Sequence, residues 1–97
     1  MSEELSVAEE IEQRLRREFE PQLFTLQDDS AMHVGHRGAT SGGGHYSVTV
    51  VSDRFEGCSR LQRHRLVYAA LEGMVGDAIH ALAIQTRTPV EQAEQPR

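Results

Sequence analysis

Residues 54–89 constrain the fold of this chain most strongly, because a long helical pattern is followed there by a buried strand pattern. Ser59 opens a capping box, and apolar residues then recur at helical spacing, which predicts a helix over residues 59–75. Gly76 is expected to end this helix. Residues 79–86 are apolar on both faces near their start, as in a strand covered by neighbours.

The preceding half of the chain predicts a helix and a hairpin. Residues 6–20 carry apolar side chains at helical spacing, and Pro21 cannot continue the helix. Residues 23–27 and 45–52 have strand character, with clear alternation in the second segment. The connection over residues 28–44 is long, rich in Gly, Ser and His and without periodicity, which is typical of a functional loop.

The resulting order is α-β-β-α-β(-α), with Pro89 beginning a short last helix and residues 90–97 forming a frayed tail. A hairpin pairs its strands antiparallel, whereas a strand–helix–strand crossover makes its strands parallel and is almost always right-handed. The predicted fold class is therefore α+β, a single domain with a mixed three-stranded sheet. A chain of 97 residues supplies one modest core, which disfavours a large enzyme pocket.

The composition limits the classes of partner that the protein is expected to bind. The net charge of −5 argues against binding duplex DNA mainly by phosphate neutralisation, although Arg60, Arg63 and Arg65 could form a local basic face. The only cysteine, Cys58, leaves no internal disulfide and suits a reducing compartment. The sequence has no apolar run of the length that a membrane span needs, so we expect a cytoplasmic protein without a membrane partner.

The predicted topology gathers histidines at one end of the sheet. His33, His36, His45 and His80 fall at the end where the two parallel strands begin, whereas His64 falls towards the opposite end. Imidazole is a common metal ligand, so this convergence indicates a metal site. The competing structural interpretation is that a backbone carbonyl satisfies His80 and that His45 is a solvated residue at a strand mouth, the more usual role for such a residue.

One cysteine cannot hold an iron–sulfur cluster alone, because such clusters are usually held by four thiolates. His80 with either His33 or His36 could nevertheless ligate one iron of a [2Fe–2S] cluster whose other iron takes thiolates from a second molecule. The sequence thus suggests a half-site that a partner completes. A mononuclear zinc site built from the same three histidines is an alternative without a supporting ligand-spacing motif.

The strings RFEG, RHRLVYAAL and IHALAIQTRTP occur in the order and spacing of the BolA family, which this chain resembles from about residue 11 to residue 89. The resemblance implies a fold like class II KH domains and pairing with a monothiol glutaredoxin, whose cysteine and bound glutathione hold one iron of the shared cluster. It further implies that His80 and a loop residue supply the remaining ligands. The segment DDSAMH matches the loop motif and places that ligand at His33, with His36 as a second candidate.

The leading hypothesis is a non-enzymatic adaptor that forms a heterodimer with a monothiol glutaredoxin in iron–sulfur cluster assembly, trafficking or iron sensing. Pairing of the apo chain with itself is left open. The alternative is a KH-like nucleic-acid-binding transcriptional regulator that contacts DNA through Arg60, Arg63 and Arg65. The chain has no paired carboxylates, nucleophile elbow or phosphate-cradling loop in a strand–helix context, so no catalytic residue is predicted.

Overall fold

The structure, a computed structural model, describes residues 5–30 and 44–95. Its elements follow the predicted order. Their bounds are α1 Val7–Phe19, β1 Leu23–Asp28, β2 Gly44–Val51, a 3-10 turn Asp53–Phe55, α2 Arg60–Ala70, β3 Ile79–Arg87 and α3 Pro89–Ala93.

The three strands form one mixed sheet in the order β1-β2-β3. β1 runs antiparallel to β2, and β2 runs parallel to β3. This arrangement confirms the crossover that the sequence predicted through α2. The starts of β2 and β3 therefore lie at the same end of the sheet, where Gly44 is opposite Ile79.

The core lies between the helices and one face of the sheet. Along β2 the burial alternates, so that Tyr46, Val48 and Val50 point into the core. The positions between them belong to the opposite, open face of the sheet. The helices α1 and α2, the turns that follow α2, the 3-10 turn and the start of β3 contribute the other clustered buried side chains, which are Ile11, Leu15, Phe19, Phe55, Val67, Leu71, Met74 and Ile79.

Capping boxes are present at the starts of α1 and α2, and the one at Ser59 was predicted. At the start of α1, the backbone N–H of Glu9 donates to the Ser6 hydroxyl, and Glu9 accepts from the Ser6 backbone N–H. Ser59 and Gln62 make the same reciprocal pair at the start of α2. These bonds satisfy backbone donors that a helix start leaves without partners.

The predicted end of α2 is wrong, because the helix stops at Ala70 rather than at residue 75. Leu71 and Met74 are buried as the pattern required, but they lie in turns. Gly73 has a φ of 87°, a backbone geometry that ends a right-handed helix. Turns can bury apolar residues at the same spacing as a helix. The apolar pattern therefore continued beyond Ala70, and the predicted helix was too long.

The predicted frayed tail of residues 90–97 is wrong over residues 90–93, which belong to α3. Pro89 does begin α3, as predicted, and Thr88 and Glu91 form a third capping box. Glu91 also reaches across to α2. No helix of the described segments is both long and apolar enough to cross a membrane.

Candidate functional site

A bulge lies at the start of β3, at His80. Gly44 is opposite Ile79 and His45 is opposite Ala81, so His80 is the extra residue without a partner in β2. Regular alternation would turn Ala81 back towards the core after the exposed His80. Instead His80 and Ala81 are both exposed. A bulge redirects side chains in this way, and it leaves His80 on the same side of the sheet as His45.

The imidazoles of His45 and His80 are neighbours, with ring centroids 5.1 Å apart and ring planes inclined at 40°. His45 is half-buried and His80 is exposed to solvent. Imidazole nitrogens lie about 2.0–2.1 Å from a tetrahedral metal, which places the centroids of two such rings roughly 5 Å apart. The observed separation therefore fits two imidazoles on one metal, and the side chains are nitrogen donors of the kind that iron accepts.

The backbone of His45 is held by the residues that follow β1. Its N–H donates to the Ser30 hydroxyl at 3.0 Å, and its carbonyl accepts from the Asp29 N–H at 2.7 Å. Asp29 also accepts a hydrogen bond of 2.6 Å from the Ser47 hydroxyl on the open face. The start of the long loop is therefore attached to His45 through both the backbone N–H and the carbonyl of that residue.

Gly44 allows this close packing. A Cβ atom at Gly44 would lie 2.6 Å from Tyr46 Cε2 and 2.9 Å from Ser30 Oγ.

Burial raises the pKa of Tyr46 above its ordinary value, and the negative charge of Asp28 adds to that effect. Hydrogen bonds from the side chain and backbone of Ser30 hold the pKa of Asp28 below its ordinary value. An anionic Asp28 thus stays in place at the base of the loop.

Of the predicted metal ligands, the structure locates His80 and brings it beside His45. His33 and His36 lie outside the described residues. His64 lines a cavity with residues from the end of β3, away from His45 and His80, as predicted. In the part of the chain that the structure describes, no group of three or more His, Cys, Asp and Glu side chains could hold a metal.

His45 lies beside His80, at the position that sequence reasoning interpreted as a solvated histidine at a strand mouth. It is half-buried. The bulge at His80 has no sequence signature here. The parallel pairing of β2 and β3 was the available signal, because it places residues 45 and 80 near each other.

The predicted basic face loses one of its three arginines. The guanidinium of Arg63 donates to both carboxylate oxygens of Glu91, at 2.7 and 3.1 Å, and to the Cys58 carbonyl at 3.0 Å. Its side chain is only 12% exposed, and its guanidinium lies 5.9 Å from the ring centroid of Phe55. Arg63 therefore anchors α3 to α2, and only Arg60 and Arg65 remain exposed.

The fold and the paired imidazoles define a small α+β protein with a two-histidine site at the bulged start of its last strand. The family model described as BolA-like protein matches residues 15–91. This chain belongs to the BolA-like family.

Curated relatives cover most of the chain. BolA-like protein 1 from Homo sapiens is 45% identical over 84 residues, which are 87% of this chain and 59% of that protein. The Bos taurus protein of the same name is 44% identical over 90% of this chain and 62% of its own length, so the chain spans about three fifths of these relatives. A relative from Vibrio cholerae, 44% identical over 84% of this chain and 74% of its own length, is named DNA-binding transcriptional regulator BolA.

Solved structures show the same architecture. The solution structure of BolA1 from Mus musculus has a TM-score of 0.78 at 38% identity, covering 100% of this chain and 76% of that one. BolA1 from Arabidopsis thaliana gives a TM-score of 0.78 at 34% identity, covering 97% of this chain and 100% of that one. These matches confirm the predicted helices and mixed three-stranded sheet.

Proposed function

We propose that this protein is a non-enzymatic adaptor that shares a [2Fe–2S] cluster with a monothiol glutaredoxin, in cluster assembly, trafficking or iron sensing. The observation that carries the proposal is the His45–His80 pair, whose 5.1 Å centroid separation fits two imidazoles on one metal. Membership of the BolA-like family supports the same function.

The chemistry of the donor set explains why a partner is needed. The described residues bring two imidazoles together and no thiolate, and Cys58 lies between the 3-10 turn and α2, far along the chain from both histidines. A [2Fe–2S] cluster needs four protein-derived or small-molecule ligands. The partner's cysteine and its bound glutathione would supply the sulfur donors for the second iron.

We assign His80 as one iron ligand, and there are three candidates for the second ligand from this chain. His45 has the observed contact with His80, whereas family resemblance favours His33, with His36 as its neighbour in the loop. Substitution separates the candidates.

The test is reconstitution of the chain with a monothiol glutaredoxin, ferrous iron, sulfide and glutathione. Size-exclusion chromatography with detection in the visible range should show a coloured heterodimer for the unmodified chain. The His80→Ala variant should give an altered visible circular dichroism spectrum or lose the coloured heterodimer. One of His33→Ala, His36→Ala and His45→Ala should produce the same change, and that variant identifies the second ligand.

His64→Ala is the matched control, because it removes an imidazole at the other end of the molecule. It should leave the spectrum and the yield of heterodimer unchanged. A His80→Ala protein that assembles the heterodimer with an unaltered spectrum would remove the proposed half-site. Circular dichroism in the far ultraviolet should accompany each variant, so that loss of the fold is distinguished from loss of a ligand.

DNA binding is the second candidate function, because relatives from Haemophilus influenzae and Vibrio cholerae are named DNA-binding transcriptional regulators. With Arg63 held by Glu91, this interface would depend on Arg60 and Arg65. Two neutralised phosphates predict a slope of about −2 for log affinity against log salt on duplex DNA. A filter-binding titration at two salt concentrations tests this, and failure to bind at low salt would reject it.

A further inference from the structure

A polar groove runs between α2 and the outer side of β3, at the opposite end of the molecule from the two imidazoles. Its volume is about 370 Å³, and a neighbouring cavity of about 350 Å³ shares four of its lining residues. Both volumes are in the usual range for ligand-binding clefts. The shared residues are Arg60, Thr86, Arg87 and Gln95.

The wall of the groove formed by β3 is a sheet edge. β3 is the last strand of the sheet and pairs only with β2 among the described strands, although at its start Ile79 is bridged to Val75 and accepts a hydrogen bond from the Gly76 N–H. Between Ile79 and its last residue, Arg87, the strand contains no lysine, arginine, acidic residue or proline. Proteins commonly protect a free edge with such residues, and an unprotected edge accepts an extended chain through backbone hydrogen bonds.

Both walls of the groove provide positive charge, from Arg60 on α2 and Arg87 on β3. Arg60 forms no ion pair within the described segments, and it lies one helical turn from His64 on the same face of α2. Arg87 donates to the side-chain amide oxygens of Gln85 and Gln92, each at 3.1 Å, and these partners are neutral. Among the described residues, the only carboxylate lining either cavity is that of Glu91.

Glu91 does not neutralise the two groove arginines, because both of its oxygens accept from Arg63. That pairing holds the pKa of Glu91 at about 2, so the carboxylate stays ionised and bound to Arg63 at neutral pH. The groove is consequently a positive region on a chain whose net charge is −5. A ligand with negative charge matches it.

We propose that this groove binds an extended acidic peptide segment of a partner protein, which adds to the edge of β3 as a fourth strand. Its carboxylates would meet Arg60 and Arg87 while its backbone pairs with β3. A single nucleic-acid strand fits less well, because neither cavity is lined by Phe, Tyr or Trp for base stacking. The site lies away from His80 and does not depend on cluster binding.

A fluorescence anisotropy titration tests this inference on the metal-free full chain. The probe is a labelled ten-residue peptide of alternating Glu and Val. Saturable binding is expected below about 1 mM. The same peptide with alternating backbone nitrogens methylated should lose binding, because it cannot donate to β3. A peptide of alternating Lys and Val should not bind.

Arg60→Glu and Arg65→Glu provide a matched pair, because both reverse one exposed positive charge on α2 and only Arg60 lines the groove. Arg60→Glu should weaken binding at least about tenfold, and Arg65→Glu should stay within about twofold. The titration uses the metal-free chain, so its outcome does not depend on the proposed cluster site.

Three results would overturn the inference. They are absence of saturable binding, equal weakening by the two arginine variants, and tighter binding of a thymidine oligonucleotide of equal charge than of the acidic peptide. The last result would assign the groove to nucleic acid instead.

Discussion

Replacing Gly44 with alanine is expected to destabilise the protein and to disturb the histidine pair. The added Cβ would lie 2.6 Å from Tyr46 Cε2, 2.8 Å from the Tyr46 hydroxyl oxygen and 2.9 Å from Ser30 Oγ. Tyr46 is only 7% exposed, so its ring has little room to move. If Ser30 rotates away instead, its hydroxyl releases the backbone N–H of His45. Either response perturbs the residue beside His80.

The magnitude follows from overpacking. Forcing an extra methyl group into a packed site typically costs about 1–3 kcal/mol. For a domain of this size each 1 kcal/mol lowers Tm by about 4–8 °C, so a fall of roughly 4–24 °C is expected. Thermal unfolding followed by circular dichroism measures it.

A partial rescue tests the cause of that loss. Tyr46→Phe removes the hydroxyl oxygen but leaves Cε2, so in the Gly44→Ala background it should recover part of the lost Tm. A Gly44→Ala protein with a Tm within 2 °C of the unmodified chain, and with unchanged His45 and His80 NMR signals, would refute the close-packing account of this site.

Three further substitutions test the packing beyond the site. Leu71→Ala should lower the free energy of unfolding in urea by about 2–5 kcal/mol, because Leu71 is buried although it lies outside a helix. Leu61→Ala, at a residue that is 59% exposed, should change it by less than about 0.5 kcal/mol. Equal losses in the two variants would contradict the assigned core. Ser52→Ala should cost about 1–3 kcal/mol, because the buried hydroxyl donates to the Phe19 carbonyl and accepts from the Arg54 N–H, and a change near zero would refute that role. Glu91 has a folded pKa of about 2 against an ordinary value of 4.5, so its pairing with Arg63 stabilises the fold above pH 4.5 and this contribution is lost as the pH falls towards 2. The Tm difference between the unmodified chain and Glu91→Gln should therefore be positive near neutral pH and shrink over that window, and a difference independent of pH would contradict the assignment.

Local sequence signals predicted the element order well, because each has a direct physical cause. The capping boxes at Ser6 and Ser59 fix where two helices begin, and Pro21 limits where the first one ends. The crossover through α2 requires β2 and β3 to be parallel, and this topology alone placed His45 and His80 at one end. The family resemblance rested on the same segment and is confirmed by the family match.

The remaining features depend on contacts that sequence spacing does not reveal. Arg63 and Glu91 are separated by 28 residues, and only the folded chain shows that their ion pair removes Arg63 from a basic face. The bulge at His80 arises from the register between two strands rather than from a local motif. Gly73 was visible within the predicted α2 pattern, but a glycine inside a helix is tolerated often enough that it did not mark the end.

The central claim is that imidazole nitrogen from this chain ligates iron in a cluster shared with a monothiol glutaredoxin. Pulsed electron paramagnetic resonance of the reduced heterodimer, made with nitrogen-15 histidine only in this chain, measures that bond directly. We predict strong nitrogen-15 coupling that is diminished in His80→Ala and retained in His64→Ala. A reduced cluster without nitrogen-15 coupling, or with coupling unchanged in His80→Ala, would contradict the claim.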